Sequence, residues 1–323
     1  MLFGLGFRGL CTRGQGLSDH EACERRLIRL REIMLNLKIA ILAPPLDEKS
    51  AGIVALHRLY AELKIVDPET ILLLYLGIGN NFSVALPDAK NIPPEELKSY
   101  YPETIFVVPE VLCASRLKDL RVARYYLNRI GAIAPAEADL ENEFAITFHE
   151  GYCDRPFFYL PQYLGKFDIP DNFQSMQNSR IINCTYFGKS TGRYEEVSPL
   201  PTSILITRSW PESSDQYKQL LNISDYFFSF DALSSSNVDA LMSGNKLVIL
   251  DFFPNDESFF RKNFPDQPYL TAENYSSQEA LDEYAERCNQ WFQGLRETRN
   301  NFSILVDILH DSMTQFFSKD HKN

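Results

Sequence analysis

The sequence predicts an α/β protein of two parallel-sheet domains, from three observations. Unbroken apolar runs of strand length recur along the chain, as they do in parallel strands covered on both faces. Segments of helical periodicity fall between them, the rhythm of β-α-β units. The chain of 323 residues exceeds what one core usually holds, and its rhythm breaks once, in a polar, proline-bearing stretch at 161–179.

The expected organisation follows from these breaks. Residues 1–36 form a loose glycine-bearing tail and a helix. Residues 37–160 form a first domain, 161–179 a linker, 180–275 a second domain, and 276–323 a set of C-terminal helices. In the tail, Ser18 and Glu21 make a capping box ahead of Leu27, Leu30, Ile33 and Met34, with Arg25, Arg26, Arg29 and Arg31 among them. Two readings of that helix stay open: a basic amphipathic helix in peripheral contact with an anionic membrane surface, or an appended helix packed on the domain.

In the first domain, LKIAILAPP from Leu37 is a strand, and SAGIVALHRLYAELK from Ser50 a helix that Ser50 can cap. His57 on that helix, among Leu56, Leu59, Tyr60 and Leu63, reads as a core or rim histidine. Further strands are expected at ILLLYLG (Ile71 to Gly77), TIFVVPE (Thr104 to Glu110) and FAITFHE (Phe144 to Glu150), with a helix over LKDLRVARYYLN (Leu117 to Asn128). Glu110, His149 and Glu150 close their strands at the carboxyl edge, where ligands bind in open α/β sheets. They are therefore the expected catalytic residues, for acceptor binding or general base work.

The second domain opens with a strand from Arg180 to Phe187, then a glycine-flanked loop, Gly188-Lys189-Ser190-Thr191-Gly192-Arg193. That loop suits a phosphate but lacks the GxxxxGK[ST] frame. ILITRSWP places Arg208 at the end of the next strand, and Pro211 is expected to begin the helix ESSDQYKQLL. The most informative stretch is FSFDALSSSNVDALMSGNKLVIL, Phe228 to Leu250. An aromatic strand ends at Asp231, Ser234, Ser235 and Ser236 cap a helix carrying Val238, Leu241 and Met242, Gly244 closes it, and a second strand follows from Lys246. A right-handed crossover between parallel strands puts the serine-rich helix N-terminus at the carboxyl edge, a seat for an anion. Asp231 and Asp239 frame that seat, with seven residues between them, placed for sugar or ribose hydroxyls.

Here the chain resembles the sugar-nucleotide half of GT-B glycosyltransferases. Many of these carry two acidic residues seven apart, followed by Glu-Ala-x-x-x-Gly-x-Pro-Val. This chain reads Asp239-Ala240-Leu241-Met242-Ser243-Gly244-Asn245-Lys246-Leu247-Val248, with Asp for both acids and no proline. The resemblance implies two facing Rossmann-like domains and C-terminal helices that brace the first. It implies a donor site of Lys189, Arg208, Asp231, Ser234, Ser235, Ser236 and Asp239. The expected activity is metal-independent transfer of a sugar from a nucleotide-sugar donor to a saccharide or lipid-linked acceptor, with no cofactor beyond the donor itself. A sugar-nucleotide epimerase-like enzyme and a non-catalytic binding protein are the alternatives.

Composition sets the outer bounds. A 45% apolar, 13% aromatic chain folds into packed cores, and a net charge of -11 argues against nucleic acid as partner. Six dispersed cysteines without a Cys-x-x-Cys pair point to reduced thiols and a cytoplasmic protein, and away from a metal site. A helix over 278–291, capped by Ser276 or Ser277, and another over 302–317 close the chain, with Trp291 expected in the core.

Overall fold

The structure, a computed structural model, describes residues 37–128, 131, 138–139, 141–161, 168–177, 180–188, 202–207, 209–252 and 257–319. The expected N-terminal tail and helix lie outside them, as do Lys189 and Arg208.

Thirteen strands are described: β1 (Lys38–Ala43), β2 (Ile71–Leu76), β3 (Ser83–Ala85), β4 (Asn91–Ile92), β5 (Thr104–Pro109), β6 (Arg121–Tyr126), β7 (Phe144–Thr147), β8 (Phe158–Tyr159), β9 (Ile182–Tyr186), β10 (Ser203–Ile206), β11 (Ser224–Ser229), β12 (Lys246–Ile249) and β13 (Leu270–Thr271). The helices are α1 (Ala51–Val66), α2 (Leu97–Tyr100), α3 (Ser214–Ile223), α4 (Ser235–Met242), α5 (Glu257–Asn263) and α6 (Gln278–Lys319). The chain is thus a mixed α/β protein of Rossmann-like type.

The strands form two sheets, ordered β4-β3-β2-β1-β5-β6-β7-β8 and β10-β9-β11-β12-β13. All pairings in the second are parallel, and in the first only β3 runs antiparallel, against β2 on one side and β4 on the other. Strand order reverses at β1/β5 in one sheet and at β9/β11 in the other. At each reversal the connections leave to opposite sides, which opens a crevice at the carboxyl ends.

Alternation along β1 shows why these runs are strands. Ile39, Ile41 and Ala43 face one core with Leu56, Leu59 and Leu63 of α1, while Ala40 and Leu42 face a second with Phe106, Val108 and Leu97. The second sheet shares one core with Leu221, Ala240, Leu241 and Phe260 from its helices. Helix α6 joins the two: Tyr284, Cys288 and Phe292 pack into the second-sheet core, and Val306, Leu309, Met313 and Phe317 into the first.

Several expectations are corrected. The helix expected over Leu117 to Asn128 is instead strand β6, hydrogen-bonded between β5 and β7. Its valine and two tyrosines favour a pleated, covered surface, and flanking strands supply the backbone partners a helix would have supplied internally. Pro211 does not begin α3. Ser213 caps it, in a capping box with Gln216. The two expected terminal helices are one, of 42 residues, because both halves keep a buried stripe and no proline interrupts them. Ser50 stands at the N-cap of α1 without a side-chain cap bond. Strands β3, β4, β8 and β13 are too short to show in a hydropathy pattern.

Candidate functional site

A cleft of about 1840 Å³ is lined by the carboxyl ends of both sheets. On the second-sheet side its wall includes Asp231, Ser234, Ser235, Ser236 and Asp239. Asp231 stands two residues beyond β11, its main chain fixed by reciprocal bonds with Ser229: Asp231 N donates to Ser229 Oγ (3.2 Å), which donates to Asp231 O (3.1 Å). The buried Asn237 amide adds two bonds, to Asp231 O and Ala232 O, both 2.9 Å. Ser234 is the N-cap of α4, accepting from Ser236 N at 3.2 Å and donating to Tyr186 Oη at 3.4 Å. The turn that presents the serines is therefore locked by Asn237 from within, and the positive end of α4 opens on the cleft.

Gly188, at the end of β9, has φ +57, and an added Cβ would stand 2.4 Å from Asp231 Oδ2. The glycine lets the carboxylate lie against the backbone at the β9/β11 reversal itself. Asp239, one turn into α4, is almost fully buried. Beside it and the Ser236 hydroxyl lies Tyr217 of α3, whose phenol is held well above its usual pKa by burial and then by the Asp239 charge. Tyr217, Tyr186 and Asn237 escaped the sequence reading, since an aromatic on a helix or at a strand end and an asparagine after a serine run look like packing and capping.

On the first-sheet side, Glu110 follows β5 directly and is buried, with Oε2 accepting from Leu127 N at 3.1 Å. Burial and the Glu110 charge together raise the phenol of Tyr75. His149 follows β7. Its Nδ1 accepts from Gly151 N at 3.1 Å, so the proton sits on Nε2, which donates to Asn263 O at the end of α5. Its ring stacks on Phe264 at 4.2 Å. His149 thus bonds one sheet's edge to the other's, and taking up a proton at Nδ1 requires breaking the Gly151 bond. Glu150 begins the short 3-10 turn after His149, and its side chain lies outside the described residues. His57 does not line the cleft. Its Nε2 is within 2.9 Å of Pro44 O.

The structure therefore brings Glu110, His149, Asp231, Ser234, Ser235, Ser236 and Asp239 to one cleft. Described cations on its wall include Arg58, Lys218, Lys262 and Arg287. Among the described residues no group of three or more His, Cys, Asp or Glu is arranged to hold a metal, and no helix is long and apolar enough to cross a membrane.

No protein family matches the chain, and neither does any curated protein. Nine chains of solved structures match, among them the spinosyn rhamnosyltransferase SpnG complexed with thymidine diphosphate. It is 11% identical with a TM-score of 0.35, the match covering 86% of this chain and 96% of that one. A likeness of that size fixes neither fold nor activity.

Proposed function

We propose that this chain is a glycosyltransferase of GT-B type, moving a sugar from a nucleotide-sugar donor to a hydroxyl on a saccharide or lipid-linked acceptor. One observation carries the proposal. At the strand reversal of the second sheet, the serine-capped N-terminus of α4 and the buried carboxylates Asp231 and Asp239 line a cleft whose opposite wall is the carboxyl edge of another parallel sheet.

In the proposed reaction the acceptor oxygen bonds to the sugar's anomeric carbon and the bond from that carbon to the diphosphate breaks. The acceptor proton passes to a base, and the nucleoside diphosphate leaves with the electron pair. The α4 N-terminus, Lys189 and Arg208 stabilise the charge growing on the leaving group. Asp231 and Asp239 hold sugar or ribose hydroxyls. Glu110, buried on the cleft wall directly after β5, is the proposed base, and His149 is not, because its Nδ1 lone pair already accepts from Gly151 N–H. The engaged histidine also favours a second proposal, a binding protein that holds the nucleotide without transferring from it.

The test is product analysis with a radiolabelled nucleotide sugar, alongside a melting-temperature screen against nucleoside diphosphates. Release of free diphosphate with label in a new glycoside, and loss of the nucleotide-induced melting shift in Asp239→Asn, is expected. Label returned still on the nucleotide identifies an epimerase. A nucleotide shift without any turnover leaves the binding protein.

A further inference from the structure

We infer that the first-sheet wall of the cleft seats an acceptor with an aliphatic body, so that the substrate is a hydroxyl-bearing amphiphile and not an oligosaccharide; the assignment rests on the transfer proposed above. Leu46, Leu76 and Ile78 line the cleft and are 59%, 49% and 52% exposed. Leu46 lies in the turn after β1, Leu76 ends β2, and Ile78 is two residues on. β1 and β2 are adjacent, with Ala43 opposite Leu74, so the three side chains stand at neighbouring strand tips. Val111, past β5 on the other side of β1, also lines the cleft, and Gly79 N bonds its carbonyl at 3.2 Å.

The display is built into the backbone. Gly77, between Leu76 and Ile78, has φ +96, and an added Cβ would stand 2.2 Å from Asn81 O. A turn that admits only glycine thus holds two large aliphatic side chains out toward the cleft. Aliphatic surface gathered in a concavity is the mark of a ligand wall.

The nearby carboxylates each hold one bond within the chain. Asp47 Oδ1 accepts from Lys49 N at 2.9 Å, and Glu48 Oε2 from Ser214 Oγ at 3.1 Å. Sugar hydroxyls brought against the Leu46, Leu76 and Ile78 side chains would exchange water for apolar surface, at a cost for each hydroxyl left unpaired. An alkyl chain loses nothing there. Room exists for it: about 1840 Å³ exceeds the roughly 300–1,000 Å³ that a single small ligand occupies.

Octyl β-D-glucopyranoside, below its micellar concentration, is the probe, with methyl β-D-glucopyranoside and maltotriose as controls, each titrated calorimetrically. Each buried methylene is worth roughly fourfold in affinity, so the octyl glycoside is expected to bind at least about tenfold tighter than either control. The double variant Leu76→Ser, Ile78→Ser is expected to lose about tenfold of that binding. Both positions are half-exposed, and an unchanged unliganded melting temperature shows the variant folded. Methyl glycoside or maltotriose binding as tightly as octyl overturns the inference. So does an octyl affinity unaffected by the double variant, which places the alkyl chain elsewhere. A nucleoside diphosphate melting shift is recorded on the same samples. If that shift is absent while the variant-sensitive octyl preference stands, transfer is refuted and the aliphatic seat upheld.

Discussion

The guanidinium of Arg124 is wholly buried and forks onto both oxygens of Glu143, each at 2.6 Å, while its remaining nitrogen donates to Pro109 O and Leu112 O. Two charges so deep are tolerable only as a pair. Glu143→Ala strands the cation and is expected to cost about 3–5 kcal/mol in urea unfolding, whereas Arg124→Met with Glu143→Leu is expected to cost less, the loss of a donor to Pro109 O and Leu112 O remaining. A double variant as unstable as the single one would refute this account. The buried thiols make a second prediction. Burial pushes Cys184 from 9.0 up to about 11 and Cys288 up to about 12. The folded state keeps protons that the unfolded chain has released, so each thiol's contribution is full below pH about 9 and fades as pH climbs toward those values. Urea midpoints should fall from pH 9 to 11, and Cys288→Ala should flatten the slope. A midpoint flat across that range would refute it.

Among the elements, α4 and α6 do the positioning. α4 is short and its start is held by Ser234 and Asn237, so its place depends on the turn as much as on its own buried face. α6 spans both cores, with about 21 Å of helix between Phe292 and Val306. Tyr284 anchors its first half, donating to Asn245 O and accepting from Leu247 N, both at 2.8 Å. Gly294 lies inside this continuous helix where it lines the cleft, and an added Cβ would meet nothing within 4 Å. Gly294→Ala should therefore raise stability by about 1 kcal/mol, read as a higher urea midpoint at unchanged slope. A lower midpoint would show that the glycine serves a bend the helix needs.

Across the whole molecule, the two sheets are joined by α6, by Ser214 to Glu48, and by His149 to Asn263. His149→Phe keeps a ring against Phe264 but removes a partner from both Gly151 N–H and Asn263 C=O. A loss of about 1–3 kcal/mol is expected, with faster hydrogen exchange at Gly151; unchanged exchange there would show that the joint carries no load. Much of this architecture was legible beforehand. Runs such as ILLLYL and TIFVVP encode strands by composition alone, and Asp231, the serines and Gly244 mark the ends of α4 because caps and turns are local chemistry. Arg124 was not legible, because a cation alternating with Val and Tyr fits a solvated helix as well as a strand until Glu143 arrives from nineteen residues away. Gly188 was visible as a loop glycine, but its reason, the Asp231 carboxylate across a strand reversal, is a contact between distant segments. By itself the sequence determined the parallel α/β class and which side chains crowd the strand ends, since burial periodicity and capping depend on near neighbours. Only the tertiary structure decided that the carboxyl edges of two sheets share one cleft, that His149 is bonded across it, and that Leu46, Leu76 and Ile78 meet on its first-sheet wall, since strand order and the path of α6 depend on residues far apart in the chain.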